Sequence, residues 1–556
     1  MWGNAMGNMS DAVRRCDGGL EDVNFIWEIP TLTPSNTHAS TLLGLGTESF
    51  GNYHGLTSGD TGIHMGKRRG FDKRQCVNLL PGVSIAGTCP KEHFEKWPSW
   101  DTIAHQQMWR GWLYQAFVNG MKLMVVSLTE SQLMCNLTLS SETKYGCDEY
   151  KSILRQILYL RLFALENKDW VAIVESPEEA RKAIQEENKL ALVIAVEITH
   201  LFPEGDIVEQ LDELYRLGVR SMQLVHHANN RFSGVAPIPG LIKSARVLEQ
   251  YSTLASFIKA SLPAGNAILD TLSQLQVIPN FDELKGIETA HITGVICRNA
   301  SGDEGECDGI NYLNEMGLTE DGKTLIKAMM QRGMLVDTAH ISRKAVRDFY
   351  ELAVINNNYP MFSSHIHIWE TIREASADQP YKNEKYLLPE EIEMFNDTRG
   401  MIGLRTGPEK TEAWEPSGVE NNCQGSSRSF AQSLAYAVDK GLSVGFGADL
   451  NGFIQQMVPR NGHSKESCWG IDHEVKLQKA TYKGNPFDEE GLGHIGLLPT
   501  LINDMERVGL KQHYLDHINN SAEAFVQLWE RVYTESDSRV PLPWMPAINK
   551  YLLEDE

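Results

Sequence analysis

The sequence predicts a (β/α)8 TIM-type barrel with long loop insertions and a C-terminal helical extension, and three observations carry that prediction. First, six glycine- and apolar-rich segments each stop at a polar residue: LALVIAVE at Glu197, SMQLVHH at His226 and His227, GMLVDTAH at His340, PMFSSH at His365, GMIGLR at Arg405 and LSVGFGAD at Asp449. Second, a helical pattern precedes or follows nearly every one, and strands alternating with helices build a parallel sheet. Third, eight strands can be placed, at about residues 25–37, 121–128, 190–197, 220–226, 334–339, 360–364, 401–405 and 442–448, and eight is the number that closes this barrel. Functional groups gathered at the C-terminal ends of its strands mark the catalytic face of such a barrel.

The elements follow in chain order. A polar, glycine-rich tail runs over residues 1–24, and the apolar run beginning Phe25-Ile26-Trp27 is the first strand signal. The barrel is therefore expected over 25–535, with a final tail at 536–556. Residues 46–100 are rich in Gly, His, Lys and Arg with little periodicity, which reads as a loop insertion at an active-site rim. Trp100 to Asn119 and Asp148 to Glu166 have helical spacing, with a strand over Gly120 to Thr129 between them. Ser176 followed by Glu179 is a capping-box signature leading into the strand that ends at Glu197. In IVEQLDELYRLGVRSMQLVHH, Gly218 is placed to end a helix before the next strand. A second insertion, 237–317, is too long for one simple loop and is expected to carry short helices over one face. The stretch from Gly496 to Tyr533 is helical and packs outside.

Composition bounds the function classes. A formal charge of −22 and a pI near 5.3 disfavour nucleic acid or an anionic membrane as the main partner, because both select basic surfaces. No stretch is long and apolar enough for a membrane span and no signal peptide is evident, so a soluble cytoplasmic protein is the expectation. The nine cysteines form no CxxC pair or compact framework and read as reduced structural thiols, with Cys297–Cys307 or Cys135–Cys147 as pairs only in an exported protein.

The site chemistry starts at Glu197, a carboxylate ending an apolar strand, where burial without a metal, a cation or a donor would be costly. His340 and His365 end consecutive strands and would stand side by side at the barrel mouth. With Asp449 they make an imidazole and carboxylate set suited to zinc or a similar divalent ion. Asp337 reads either as an acceptor behind a ligand or as a buried hydrogen-bonder, and Arg405 as a partner for a carboxylate. Gly441-Leu442-Ser443-Val444-Gly445 matches the GxSxG pattern, but strand continues after the serine, so the sharp nucleophile turn is missing.

At these residues the chain resembles the membrane-dipeptidase (renal dipeptidase-like) family of the amidohydrolase superfamily. The matching stretches are VEITH, LGVRSMQLVHHANN, GLTEDGKTLIKAMMQRGMLVDTAHIS, YPMFSSH, VGFGADLNG and NNSAEAFVQLWE, spread from about 190 to 535. The resemblance implies hydrolysis of a peptide-like or other amide bond by metal-activated water, with one or two divalent ions, usually zinc. It implies that Glu197, His340 and His365 are metal ligands, that Asp449 sits by a metal and shuttles protons, and that His226 polarises the scissile carbonyl. His227 takes that place if the strand is offset by one. Arg373 matches an arginine that holds the substrate carboxylate. A small-molecule or dipeptide-like substrate follows, with a homodimer as a candidate assembly.

The sequence departs from the family at the first metal motif, a histidine, any residue, then aspartate or histidine. Its counterpart is Asn36-Thr37-His38, which leaves His38 as a ligand but puts neutral Asn36 in the first position. His54 and His64 are alternatives. The competing reading is a catalytically impaired or non-catalytic barrel that acts as a binding protein.

Overall fold

The structure, a computed structural model, describes residues 2–6, 71–75, 100, 102–103, 110–130, 148–237, 295–298, 311–372, 384–450, 455–460 and 487–534. Its centre is a ring of parallel strands: β1 (Trp2–Met6), β2 (Leu123–Thr129), β3 (Leu190–Glu197), β4 (Val219–Gln223), β5 (Leu335–Asp337), β6 (Phe362–Ile368), β7 (Met401–Arg405) and β8 (Ser443–Gly447). Each pairs with the next, and β1 also pairs with β8 through Gly3 and Phe446, so the ring closes. This is the predicted α/β barrel. β2 and β3 are buried at every position, as expected of parallel strands covered on both faces, and this is why they read as largely apolar runs.

One strand was misplaced by the sequence reading. The place between β8 and β2 is filled by Trp2–Met6, in the segment expected to be a tail, and not by residues 25–37, which lie outside the described residues. The run Phe25-Ile26-Trp27 carries a strand signal, whereas WGNAM contains glycine and asparagine and no β-branched residue.

The outer helices begin and end where local chemistry dictates. Asp148 caps the helix Glu149–Glu166 by accepting from Lys151 N, and Asp206 caps Ile207–Arg216 by accepting from Val208 N and Glu209 N. Gly218 follows that helix at φ 96°, a left-handed conformation that costs a glycine nothing. Ser176 does cap a helix, but Glu179 reaches back to Glu175 N, one residue before the cap, and the helix Pro177–Arg181 passes into a π turn at Lys182–Glu186. The described part of the 237–317 insertion is not helical: Val295–Arg298 and Asn311–Asn314 form an antiparallel pair. In the first insertion, Phe71–Gln75 pairs antiparallel with Thr102–Ile103.

The C-terminal extension is Leu498–Arg507, Gln512–Asn519 and Ser521–Thr534, docked by the fully buried Trp529. A buried cluster fastens it: Arg460 Nε donates to Asp504 at 2.9 Å and Nη2 to Asp488 at 3.1 Å. No described helix is long and apolar enough to cross a membrane. The expectation of nine reduced thiols fails at Cys423, which is disulfide-bonded. Disulfides belong to oxidising compartments, so the thiols no longer support a cytoplasmic setting.

Two glycines let strands β7 and β8 approach the histidine-bearing β6. A Cβ on Gly447 would run into the backbone of Gly403 and stand 2.8 Å from His365 Cα. Backbone atoms cannot yield as a side-chain tip would. Gly447→Ala is therefore expected to destabilise the barrel by about 3 kcal/mol or more, the upper end of overpacking costs, read as a fall in urea midpoint at unchanged slope.

Candidate metal centre

Strand polarity gathers the polar residues at one end of the barrel. Glu197 is the last residue of β3, His340 lies three residues beyond β5, His365 lies within β6, Arg405 ends β7 and Asp449 lies two residues beyond β8. His340 and Asp449 hold φ of 67° and 47°. Left-handed backbone is uncommon away from glycine, and its presence at two residues of one constellation is the strain that functional sites retain.

Glu197, His340 and His365 place one ligand atom each within 4.8 Å of one another. His340 Nε2 stands 3.1 Å from Glu197 Oε1 and 2.9 Å from His365 Nε2. Glu197 is fully buried. Burial, with the charges of Asp449 and Asp337 behind it, pushes its carboxyl well above the ordinary range. Burial likewise lowers His365, which favours the neutral imidazole that a metal requires. A buried carboxylate facing two imidazole nitrogens fits a divalent cation, whose charge would reverse the rise of Glu197 and deepen the lowering of His365.

The ligands are set from behind. Asp337 Oδ1 accepts from Ala339 N at 3.0 Å and Ser364 N at 2.9 Å, and Oδ2 accepts from Gln223 Nε2 at 3.2 Å. It is thus the buried hydrogen-bonder of the two readings, and it ties together the strand ends that carry His340 and His365. Ser364 Oγ lies 3.0 Å from His365 Nδ1 and orients that ring. Asp337→Ala removes the acceptor of the Ala339 and Ser364 N–H groups and is expected to cost about 1–3 kcal/mol for each, the desolvation penalty of an unsatisfied buried donor, read as a fall in urea midpoint at unchanged slope.

His226 is buried with Nε2 3.5 Å from Glu197 Oε1, and its ring stacks on His227 at 3.5 Å. His227 is positioned by its backbone N–H, which donates to Thr199 Oγ1. Arg405 Nη2 stands 3.5 Å from Asp449 Oδ2, the carboxylate pairing expected of it. His38, Asn36, His54, His64 and Arg373 lie outside the described residues.

Beside the triad opens a cavity of about 240 Å³ whose walls include His340, His365, Asp449 and Arg405. It also holds residues that sequence reasoning did not assign to the site: His367, Lys385 and Glu409. Burial would raise Glu409, but His367 Nε2 at 3.0 Å and the charge of Arg405 outweigh it and hold the carboxyl at about 2. Burial and the neighbouring Arg405 lower Lys385 to about 8, against the charges of Asp449 and Glu197. The signal for His367 was its spacing of two from His365, which on a strand puts both on one face. Lys385 and Glu409 come from loops and had no such signal.

Comparison with known proteins gives the chain a family. The model of the membrane dipeptidase family, peptidase family M19, matches residues 122–245 and 240–458, together more than half of the 556 residues. No curated protein matches the chain. Among solved structures it is similar to an amidohydrolase from Pseudomonas aeruginosa, at 13% identity over 76% of this chain and 93% of that one, with a TM-score of 0.43. A dipeptidase of family M19 matches at 14% identity over 75% and 88%, also with a TM-score of 0.43. A metallopeptidase from Rhodobacter sphaeroides, liganded with a phosphinate mimic of the dipeptide L-Ala-D-Ala, matches at 13% identity over 76% and 89%, with a TM-score of 0.43. The sequence match to the family model, which spans every one of the strand-end residues from Glu197 to Asp449, places the chain in the membrane dipeptidase family and among its metallo-hydrolases.

Proposed function

We propose that the chain hydrolyses the amide bond of a small dipeptide-like substrate at the Glu197, His340 and His365 centre, with zinc as the ion. The observation that carries this reading is the fully buried Glu197 carboxylate facing the imidazoles of His340 and His365. Two histidines and a carboxylate are the donor set of catalytic zinc. A divalent ion bound there supplies Lewis acidity, lowering the pKa of water and polarising a carbonyl oxygen.

The chain's own residues do the rest. Asp449, at the cavity wall, accepts the proton of the attacking water and returns it to the leaving nitrogen. Its pairing with Arg405 favours the ionised carboxylate that a base needs. His226 Nε2, beside Glu197, donates to the oxygen on which negative charge develops. His38 and Arg373 keep the roles that the resemblance implies, a ligand of a second ion and an anchor for a substrate carboxylate.

The test is hydrolysis of a panel of simple dipeptides and N-acyl amino acids by protein purified without chelators. Activity lost on dialysis against a chelator and restored by zinc supports the reading. A folded, zinc-loaded protein that cleaves nothing in the panel refutes it and favours the binding-protein alternative.

A further inference from the structure

The cavity beside the metal ligands has two ends of different character. Its inner end carries His340, His365, Arg405 and Asp449, and Lys385 belongs to it, because the charges of Asp449 and Glu197 act on that lysine. Its outer end is walled by Ile341, Val346, Ile366, Leu387 and Phe395. Two carboxylates share that outer stretch and are engaged by the fold. Glu384 accepts from Asn314 N at 3.0 Å and from Arg343 N at 3.1 Å, and Glu391 accepts from Leu388 N at 2.8 Å.

Strand alternation explains how one space meets both sets of residues. On β6 successive side chains point to opposite faces, so His365 and His367 face the barrel axis and Ile366, between them, faces the outer helices. β5 pairs with β6 through Asp337 and Phe362, and the short strand Tyr386–Leu387 pairs with the same edge through His367 and Ile368. Ile366 lies between those two pairings and borders the cavity, which therefore reaches from the metal ligands past the edge of β6. Beyond that edge stand Val346 of the helix Arg343–Ile355 and Phe395 of the helix Pro389–Asp397. An apolar recess opening beside a few polar groups is the usual make-up of a small-molecule site. A charged side chain would give up its water at these walls, whereas an aliphatic one gains by leaving water. At about 240 Å³ the whole cavity falls below the range of about 300–1,000 Å³ usual for ligand pockets, which favours a compact side chain over an aromatic one.

Resting on the hydrolase reading above, we propose that this outer arm is the side-chain pocket of the site, and that the substrate is a dipeptide-like amide with an aliphatic side chain of leucine size next to the scissile bond. The arm opens directly beside two metal ligands, since Ile341 follows His340 in sequence and Ile366 follows His365. A side chain seated there brings its own amide to the metal, and the pairing of Asp449 with Arg405 is left as it stands.

The experiment measures kcat/KM of zinc-loaded protein for dipeptides of glycine with leucine, alanine, aspartate or phenylalanine, in both orders. In one order or the other, leucine is expected to exceed alanine by at least about tenfold, the discrimination that buried methylenes supply, with aspartate poorest. Val346→Leu narrows the arm and is expected to lower the leucine-to-alanine ratio about tenfold, and Val346→Ala widens it and is expected to raise phenylalanine relative to leucine by a similar factor. Ratios taken within one preparation do not depend on how much of a variant is folded. Hydrolysis in which alanine or aspartate matches leucine in both orders overturns the inference and leaves the hydrolase reading standing, as do ratios that neither variant moves. If nothing is cleaved, calorimetry with free leucine and free alanine on the zinc-loaded protein decides the pocket separately. Leucine binding at least about tenfold tighter, with the advantage lost in Val346→Leu, upholds the arm, and equal binding of the two removes it.

Discussion

Replacing Asp449 with Asn is expected to lower kcat by about 10²–10⁴-fold, the usual contribution of a positioned general base, while the protein stays folded and keeps its ion. Asparagine matches the carboxylate in size and tolerates the left-handed backbone found at this position, φ 47°, so the strand end is not newly strained. The triad of Glu197, His340 and His365 does not include Asp449 and should continue to hold metal. What is lost is the ability to take a proton. Single-turnover kinetics beside metal analysis checks this, and an unchanged kcat would remove Asp449 from the proton path.

Glu197→Gln should move stability and activity in opposite directions. In the metal-free parent the buried carboxyl has its pKa raised well above the ordinary 4.5, first by burial and then by Asp449 and Asp337. A carboxyl raised on folding contributes stability that is complete below its unfolded pKa and is lost as pH rises through the folded one. The metal-free parent should therefore weaken with rising pH over that interval, and metal-free Glu197→Gln should show less of this decline. Above it the variant is expected to be the more stable, because a neutral amide replaces a buried charge. Bound metal reverses the order, because only the carboxylate repays its burial by ligating the ion, and hydrolysis should disappear in the variant. Thermal melts with and without chelator, run across pH, read both signs. A variant less stable than the parent in the metal-free state would contradict the account of Glu197.

Legibility in the sequence followed burial. Seven of the barrel strands were read from their apolar runs, because strands sandwiched between helices cannot expose polar side chains until they reach the barrel mouth. The same rule exposed Glu197, His340, His365, Arg405 and Asp449, whose polarity interrupts those runs. β1 escaped because Trp2–Met6 has neither alternation nor β-branched residues, and only its pairing with Leu123–Thr129 defines it as a strand. Lys385 escaped for a different reason. EKYLLPEE reads as a solvated charged loop, and the Glu384 hydrogen bonds together with the Tyr386–Leu387 pairing, all long-range contacts, turn it into a cavity wall. Asp337 could be read two ways because a buried aspartate looks the same in sequence whether it backs a ligand or holds a turn. Here it holds the turn before His340 and the start of the His365 segment together.

The most direct test of the metal-centre account is the elemental metal content per chain of protein purified without chelators or a polyhistidine tag, beside a His340→Ala, His365→Ala double variant. The account predicts about one or two divalent ions in the parent and their loss from a folded double variant, because the removed imidazoles supply two of the three gathered ligands. A folded parent that holds no metal and takes up none when zinc is added would contradict it.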